Sequence, residues 1–158
     1  MTEYGSSSAW AVEILNEEIC HGWLQGYTET GRDALLATYE AFAAVNTSLP
    51  VQHLKHRRLR YRAGHGGLPS VNYLITSLGW RNTYTHQNPS LASSLLDVED
   101  SFVHVYTPAD ATRAAAVLSV MLTGRDRVNV LITDKHPGSA FPPDPFREEL
   151  TDGAAVWP

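Results

Sequence analysis

SFVHVYTPADATRAAAVLSVMLTGRDRVNVLITD, residues 101–134, carries its own topology. Its two ends, SFVHVYTP (101–108) and RVNVLITD (127–134), are short, rich in β-branched and aromatic residues, and closed by proline or polar residues, which is the pattern of buried strands. Between them DATRAAAVLSVMLTG opens on an N-cap candidate, Asp110, runs through alanines and leucines and stops at Gly124. A helical connection of this length is the usual crossover between parallel strands. The fold class expected is therefore α/β, a mainly parallel sheet flanked by helices. Ligands in such sheets favour the carboxyl ends of the strands.

Working outward, VNYLITSL (71–78) reads as a third buried strand, entered through the loop AGHGGLP, which lacks the pattern of a phosphate-binding P-loop. Upstream, the Ala- and Leu-rich DALLATYEAF reads as the buried start of a helix. A helical stretch is expected from Thr38 to about Arg60, carrying Glu40, Phe42 and the run HLKHRRLRYR, with Pro50 breaking or kinking it. VEILNEEI places apolar residues at helical spacing, so a short amphipathic helix is expected there. Residues 1–9 are polar and serine-rich and read as loose, and the proline-rich tail 136–158 reads as a surface-hugging extension. Residues 1–158 are read as one domain, with no internal repeat.

Composition narrows the function classes. The chain has 158 residues, 43% hydrophobic and 18% charged, which is ordinary for a globular protein able to bury roughly two-thirds of its unfolded surface. Its formal charge of -5 argues against general nucleic-acid binding, which relies on many cations facing phosphates. The single cysteine, Cys20, excludes an intrachain disulfide and a cysteine-based zinc site, and reads as a small core residue. No stretch approaches a transmembrane span and MTEYGSSSAW lacks the apolar core of a secretory signal, so a cytoplasmic location with no membrane partner is the default expectation. His53, His56 and His65 match no metal-ligand spacing, and no metal-ligating residue is assigned. The run 53–62 reads as a solvated helix face; binding of nucleic acid through it is a weaker alternative.

Three islands in order, GWLQGYTETGR with YEAF, PSVNYLITSLGWR with THQNP, and VHVYTPADA with VNVLITDKHP, resemble the middle domain of phosphoketolases. The resemblance covers most of residues 20–137. These are thiamine-diphosphate enzymes related to transketolase, and the matching segment is the α/β domain that holds the cofactor's aminopyrimidine ring. The resemblance implies that Glu40, in YEAF, hydrogen-bonds a ring nitrogen. A carboxylate there favours the imino tautomer, whose exocyclic nitrogen can deprotonate the thiazolium carbon to the ylid. Without a cofactor, Glu40 would instead face solvent or cap backbone amides.

The same resemblance implies that His86, in YTHQNP, handles protons near the reacting carbons and binds substrate, though a histidine in a polar turn can also be a plain surface residue. Tyr73 stands where relatives offer an aromatic or apolar face to the pyrimidine, a role that its burial in a strand does not require. Lys135 matches a lysine that helps bind the sugar phosphate, and is equally a common solvated residue.

Two departures matter. The chain reads WRNTYTHQ where phosphoketolases carry about three more residues, including Gln, His and Asn-Gly of the substrate site. That implies a different donor or acceptor, or a site that binds cofactor without turnover. The Gly-Asp-Gly motif and downstream Asn that bind diphosphate through Mg2+ are also missing. The expectation is thus a split enzyme that cleaves a carbon-carbon bond of a ketose phosphate or 2-keto donor and transfers a two-carbon unit. This chain would pair with a separately encoded diphosphate-binding subunit, as a heterotetramer, and be inactive alone. The alternative is a non-catalytic scaffold or regulatory subunit that kept the fold.

Overall fold

The computed structural model describes residues 2–3, 10–76, 90–98, 101–134, 149 and 152–153. Four strands, β3 (Ala34–Thr38), β4 (Val71–Ile75), β5 (Val103–Tyr106) and β6 (Val128–Ile132), form a sheet in the order β3-β4-β6-β5. Every pairing in it is parallel. A separate antiparallel pair joins β1 (Thr2–Glu3) to β2 (Trp10–Ala11). The α/β class with a mainly parallel sheet is thus what the chain adopts.

Strand position follows from residue type. β4 and β6 lie in the middle, and their runs VNYLI and VNVLI are almost wholly buried because both faces are covered. The edge strands β3 and β5 are only partly buried. Stepping from β3 to β4 and from β5 to β6 moves in opposite directions across the sheet. Right-handed crossovers then put the two connections on opposite faces. The core divides accordingly. Leu24 of α1 (Glu17–Glu29), Leu54 of α3 (Ser48–Arg62) and Leu91 and Leu95 of α4 (Ser90–Leu96) pack with Val71, Tyr73, Ile75, Val128 and Val130. Val117 and Met121 of α5 (Ala111–Thr123) pack with Leu131 on the other face.

Helix ends obey local chemistry. The Asp110 carboxylate accepts the amide of Arg113 at 2.8 Å, and α5 stops at Gly124, as the sequence suggests. α1 is capped by Asn16, whose Oδ1 accepts the Ile19 amide at 2.8 Å. It starts later than VEILNEEI suggests and runs on to Glu29.

Two readings of the sequence are corrected. ALLAT is not the start of a helix but edge strand β3, aligned with β4 from Ala34↔Val71 to Thr38↔Ile75. Alanine and leucine favour helix locally, and pairing with β4 overrides that weak preference. The helical stretch after it is divided into α2 (Glu40–Ala43), a 3-10 turn (Ala44–Asn46) and α3. Pro50 neither breaks nor kinks α3. It is the third residue of that helix, in the first turn, where its missing N–H costs no intrahelical bond.

The basic run 53–62 is also not wholly a solvated face. His53 and Arg57 are buried, and Glu29 at the end of α1 takes up their side of α3. Glu29 Oε1 lies 2.7 Å from Arg57 Nε and 3.1 Å from His53 Nε2, while Arg60 donates to Oε2 at 2.6 Å. Burial alone would raise the Glu29 pKa, but the His53 hydrogen bond and the Arg57 and Arg60 charges outweigh it and hold the carboxyl below its usual range. Arg57 also donates to the Pro69 carbonyl at 2.7 Å, tying α3 to the entrance of β4.

Next to this cluster, His21 and Tyr73 stack with planes 2° apart, and His21 Nδ1 lies 2.6 Å from the Tyr73 hydroxyl. Burial, with the nearby His53, lowers the His21 pKa to about 4. Tyr73→Phe strands that ring nitrogen in a dry site. The expected cost is about 1–3 kcal/mol of unfolding free energy, read as a lower urea midpoint at unchanged slope. Because His21 is depressed from 6.5 to about 4, its neutral form favours the fold above pH 6.5, and that contribution drains away as pH falls from 6.5 towards 4. Denaturation curves should show that loss, on the order of 3 kcal/mol, and His21→Gln should flatten it.

Candidate functional site

The carboxyl ends of the three neighbouring strands β3, β4 and β6 are laced together beyond their regular pairing. Thr76 donates its amide to the Thr38 carbonyl at 3.1 Å, and Thr133 donates to the Ile75 carbonyl at 2.9 Å. The chain leaves β3 through Tyr39, which keeps an extended backbone (φ -79°, ψ 139°), and turns at once into α2, whose first residue is Glu40. An abrupt strand-to-helix turn at the carboxyl edge of a parallel sheet is where this class of fold places ligand groups.

Glu40 is 8% exposed and is flanked by buried Ala41 and Ala43. Its Oε2 is buried and has no hydrogen-bond partner among the described residues. Desolvation alone accounts for its raised pKa. The expectation that an unliganded Glu40 faces solvent or caps backbone amides is therefore not met at Oε2. A buried, partnerless carboxyl oxygen is costly, and it suits a donor supplied from outside the chain, such as a protonated or N–H-bearing ring nitrogen. Asn46, in the 3-10 turn that follows α2, is buried too. It donates to the Glu17 carbonyl at 2.6 Å and leaves its own Oδ1 without a partner among the described residues. Sequence reading passed over Asn46, since an asparagine before a helix carries no signal beyond turn formation.

The other sequence candidates fall elsewhere. Tyr73 is 1% exposed in the middle of β4, opposite Leu36, four positions before Glu40 in chain order. Its hydroxyl is taken by His21, and its ring stacks on the His21 ring within the core, so the side chain is already engaged on the described side of the sheet. His86 and Lys135 lie outside the described residues. Cys20 is partly buried, with its thiol pKa raised by burial and by the Glu17 charge, which disfavours the reactive thiolate. Among the described residues no group of three or more His, Cys, Asp or Glu is arranged to hold a metal ion, and no helix is long and apolar enough to cross a membrane.

Comparison with known proteins agrees with the fold and with the islands read in the sequence. A family model described as D-xylulose 5-phosphate/D-fructose 6-phosphate phosphoketolase matches residues 2–124. A probable phosphoketolase of Streptomyces coelicolor is 38% identical over 154 residues, covering 92% of this chain and 19% of its own. Those of Clostridium acetobutylicum and Schizosaccharomyces pombe are 34% and 32% identical over 149 and 151 residues, covering 91% and 92% of this chain and 19% and 18% of theirs. The chain thus spans about a fifth of the length of the curated relatives it matches. A family match over most of the chain, together with the α/β sheet that carries Glu40 at its carboxyl edge, makes this chain a member of the phosphoketolase family, whose enzymes depend on thiamine diphosphate.

Proposed function

We propose that this chain supplies the pyrimidine-binding half of a thiamine-diphosphate site in an enzyme that cleaves a carbon-carbon bond of a ketose phosphate or 2-keto donor and passes on a two-carbon unit. The observation that carries this reading is the buried Oε2 of Glu40 at the carboxyl edge of the sheet, unpartnered among the described residues. Glu40 would hold the aminopyrimidine through a ring nitrogen, and its raised pKa suits it to sharing a proton there. When bound, the cofactor supplies the carbon nucleophile that this chemistry needs. The chain's own part is to orient the ring, keep water from Glu40 and hold one proton at that carboxyl. Tyr73 takes part as a buried support of β4 behind the ring, His86 by moving protons near the substrate, and Lys135 by attracting its phosphate.

The diphosphate half, with Mg2+, is assigned to another polypeptide segment, as a separately encoded subunit in a cytoplasmic heterotetramer. The chain alone should then release no acetyl phosphate from fructose 6-phosphate and inorganic phosphate. Activity should appear when a diphosphate-binding partner and thiamine diphosphate are added.

Glu40→Gln separates this role from a structural one. In the complete assembly it should lower kcat by about 100-fold or more. In the free chain it should be neutral or stabilise by about 1 kcal/mol at pH 7, because it removes a buried carboxyl with no partner. The sign follows from the raised pKa: Glu40 favours the fold at and below its ordinary 4.5 and disfavours it as pH rises through the folded value. The advantage of the variant should grow with pH accordingly. Full activity in the variant, or a loss of stability with no loss of activity, would sink the assignment.

A further inference from the structure

We propose that the end of the sheet opposite Glu40 carries a second site, an anion-binding cleft at the amino ends of β5 and β6 that takes a small phosphate monoester. The cleft, about 550 Å³, is lined by Ser101, Phe102, His104, Arg125 and Arg127 with Tyr61 of α3. Ser101 and Phe102 precede β5, and Arg125 and Arg127 precede β6. Glu40 stands two residues beyond the end of β3, and a five-residue strand spans roughly 17 Å. The cleft and Glu40 therefore lie at opposite ends of the strands.

Cations there are available to a ligand. Among the described residues no carboxylate pairs with the exposed Arg127 side chain. Arg125 donates to Asp33 at 2.8 Å, but both side chains are about half exposed, and an ion pair so open to water is weak, so an anion can compete. Asp126 also lines the cleft, but its carboxylate is turned to another task. Its carboxylate accepts the amides of Gly67 at 2.6 Å and Leu68 at 3.2 Å, and its backbone sits in the left-handed region (φ 58°) to reach them.

The walls are built rather than incidental. A Cβ on Gly66 would lie 2.8 Å from the Tyr61 ring and 3.1 Å from Asp126 Oδ2, so the loop closes on the cleft only because that residue is glycine. Tyr61 and Phe102 meet edge to face at 5.1 Å, an apolar surface suited to the organic part of a ligand. His104 stacks on Tyr106 with planes 10° apart, which fixes the direction of its ring nitrogens. Guanidinium forks, a ring N–H and a hydroxyl match the acceptor oxygens of a phosphate.

The test is a titration of the 15N-labelled chain at low ionic strength with inorganic phosphate and, separately, phenyl phosphate. Saturable amide shifts are expected around residues 102–104 and 126–128, with half-saturation at about millimolar concentration and tighter binding of phenyl phosphate. Arg127→Gln, an exposed position, should weaken both by about tenfold while the amides of 71–75 stay unchanged. Shifts that grow without saturating (an adventitious ion only), shifts centred on the Glu40 end, equal affinity in the variant, or phenyl phosphate binding more weakly than phosphate would each overturn the proposal.

Discussion

Parallel pairing of β4 on both sides is the constraint on which the rest of this structure depends. Tyr73 pairs with Leu36 of β3 and with Val130 of β6, so one strand sets the register of the two beside it. That register is reinforced by polar groups that a hydrophobic core alone would not need. Asn129 donates to Asn72 Oδ1 at 2.8 Å, and Asn72 donates onward to the Ala34 carbonyl at 3.1 Å, a buried relay across three strands. A slip of one residue would break it and turn Val71, Tyr73 and Ile75 away from α1, α3 and α4. With the register set, the carboxyl ends of β3, β4 and β6 are level, and Glu40 is carried to that edge by the turn after Thr38.

Much of this was legible where a single residue type dictates a single conformation. The β5–α5–β6 unit could be read because β-branched runs, an Asp cap and a terminal glycine all favour the same outcome. β3 could not, because ALLAT has the composition of a helix and becomes a strand only by pairing with residues more than thirty positions away. Pro50 misled for a related reason: proline opposes helix only beyond the first turn, and the start of α3 is set by the 3-10 turn before it.

The candidate site was legible in part. Glu40 stands out as a carboxyl in an apolar setting, and the structure gives that setting a physical form in a buried oxygen without a partner among the described residues. The use of Glu29 to neutralise the inner face of α3 was not foreseen. Its partners His53, Arg57 and Arg60 belong to a run that looks solvated until α1 is laid against it. Tyr73 was chosen for an aromatic role, and it is the core side chain whose hydroxyl holds His21. Such polar cores are costly to half-satisfy, and the free nitrogens of His21 and His53 remain without partners among the described residues.

Ring binding at this edge of the sheet depends on the state of one carboxyl, and that can be measured directly. With 13C-labelled glutamate, the carboxyl carbon of Glu40, assigned by comparison with Glu40→Gln, is followed by NMR against pH. Titration above the ordinary 4.5 with little response to added salt is the predicted result, since a desolvated, buried carboxyl is screened weakly. A midpoint at or below 4.5 would mean that Glu40 is solvated or already satisfied within the chain, and the carboxyl edge would then hold no vacancy for a ring nitrogen.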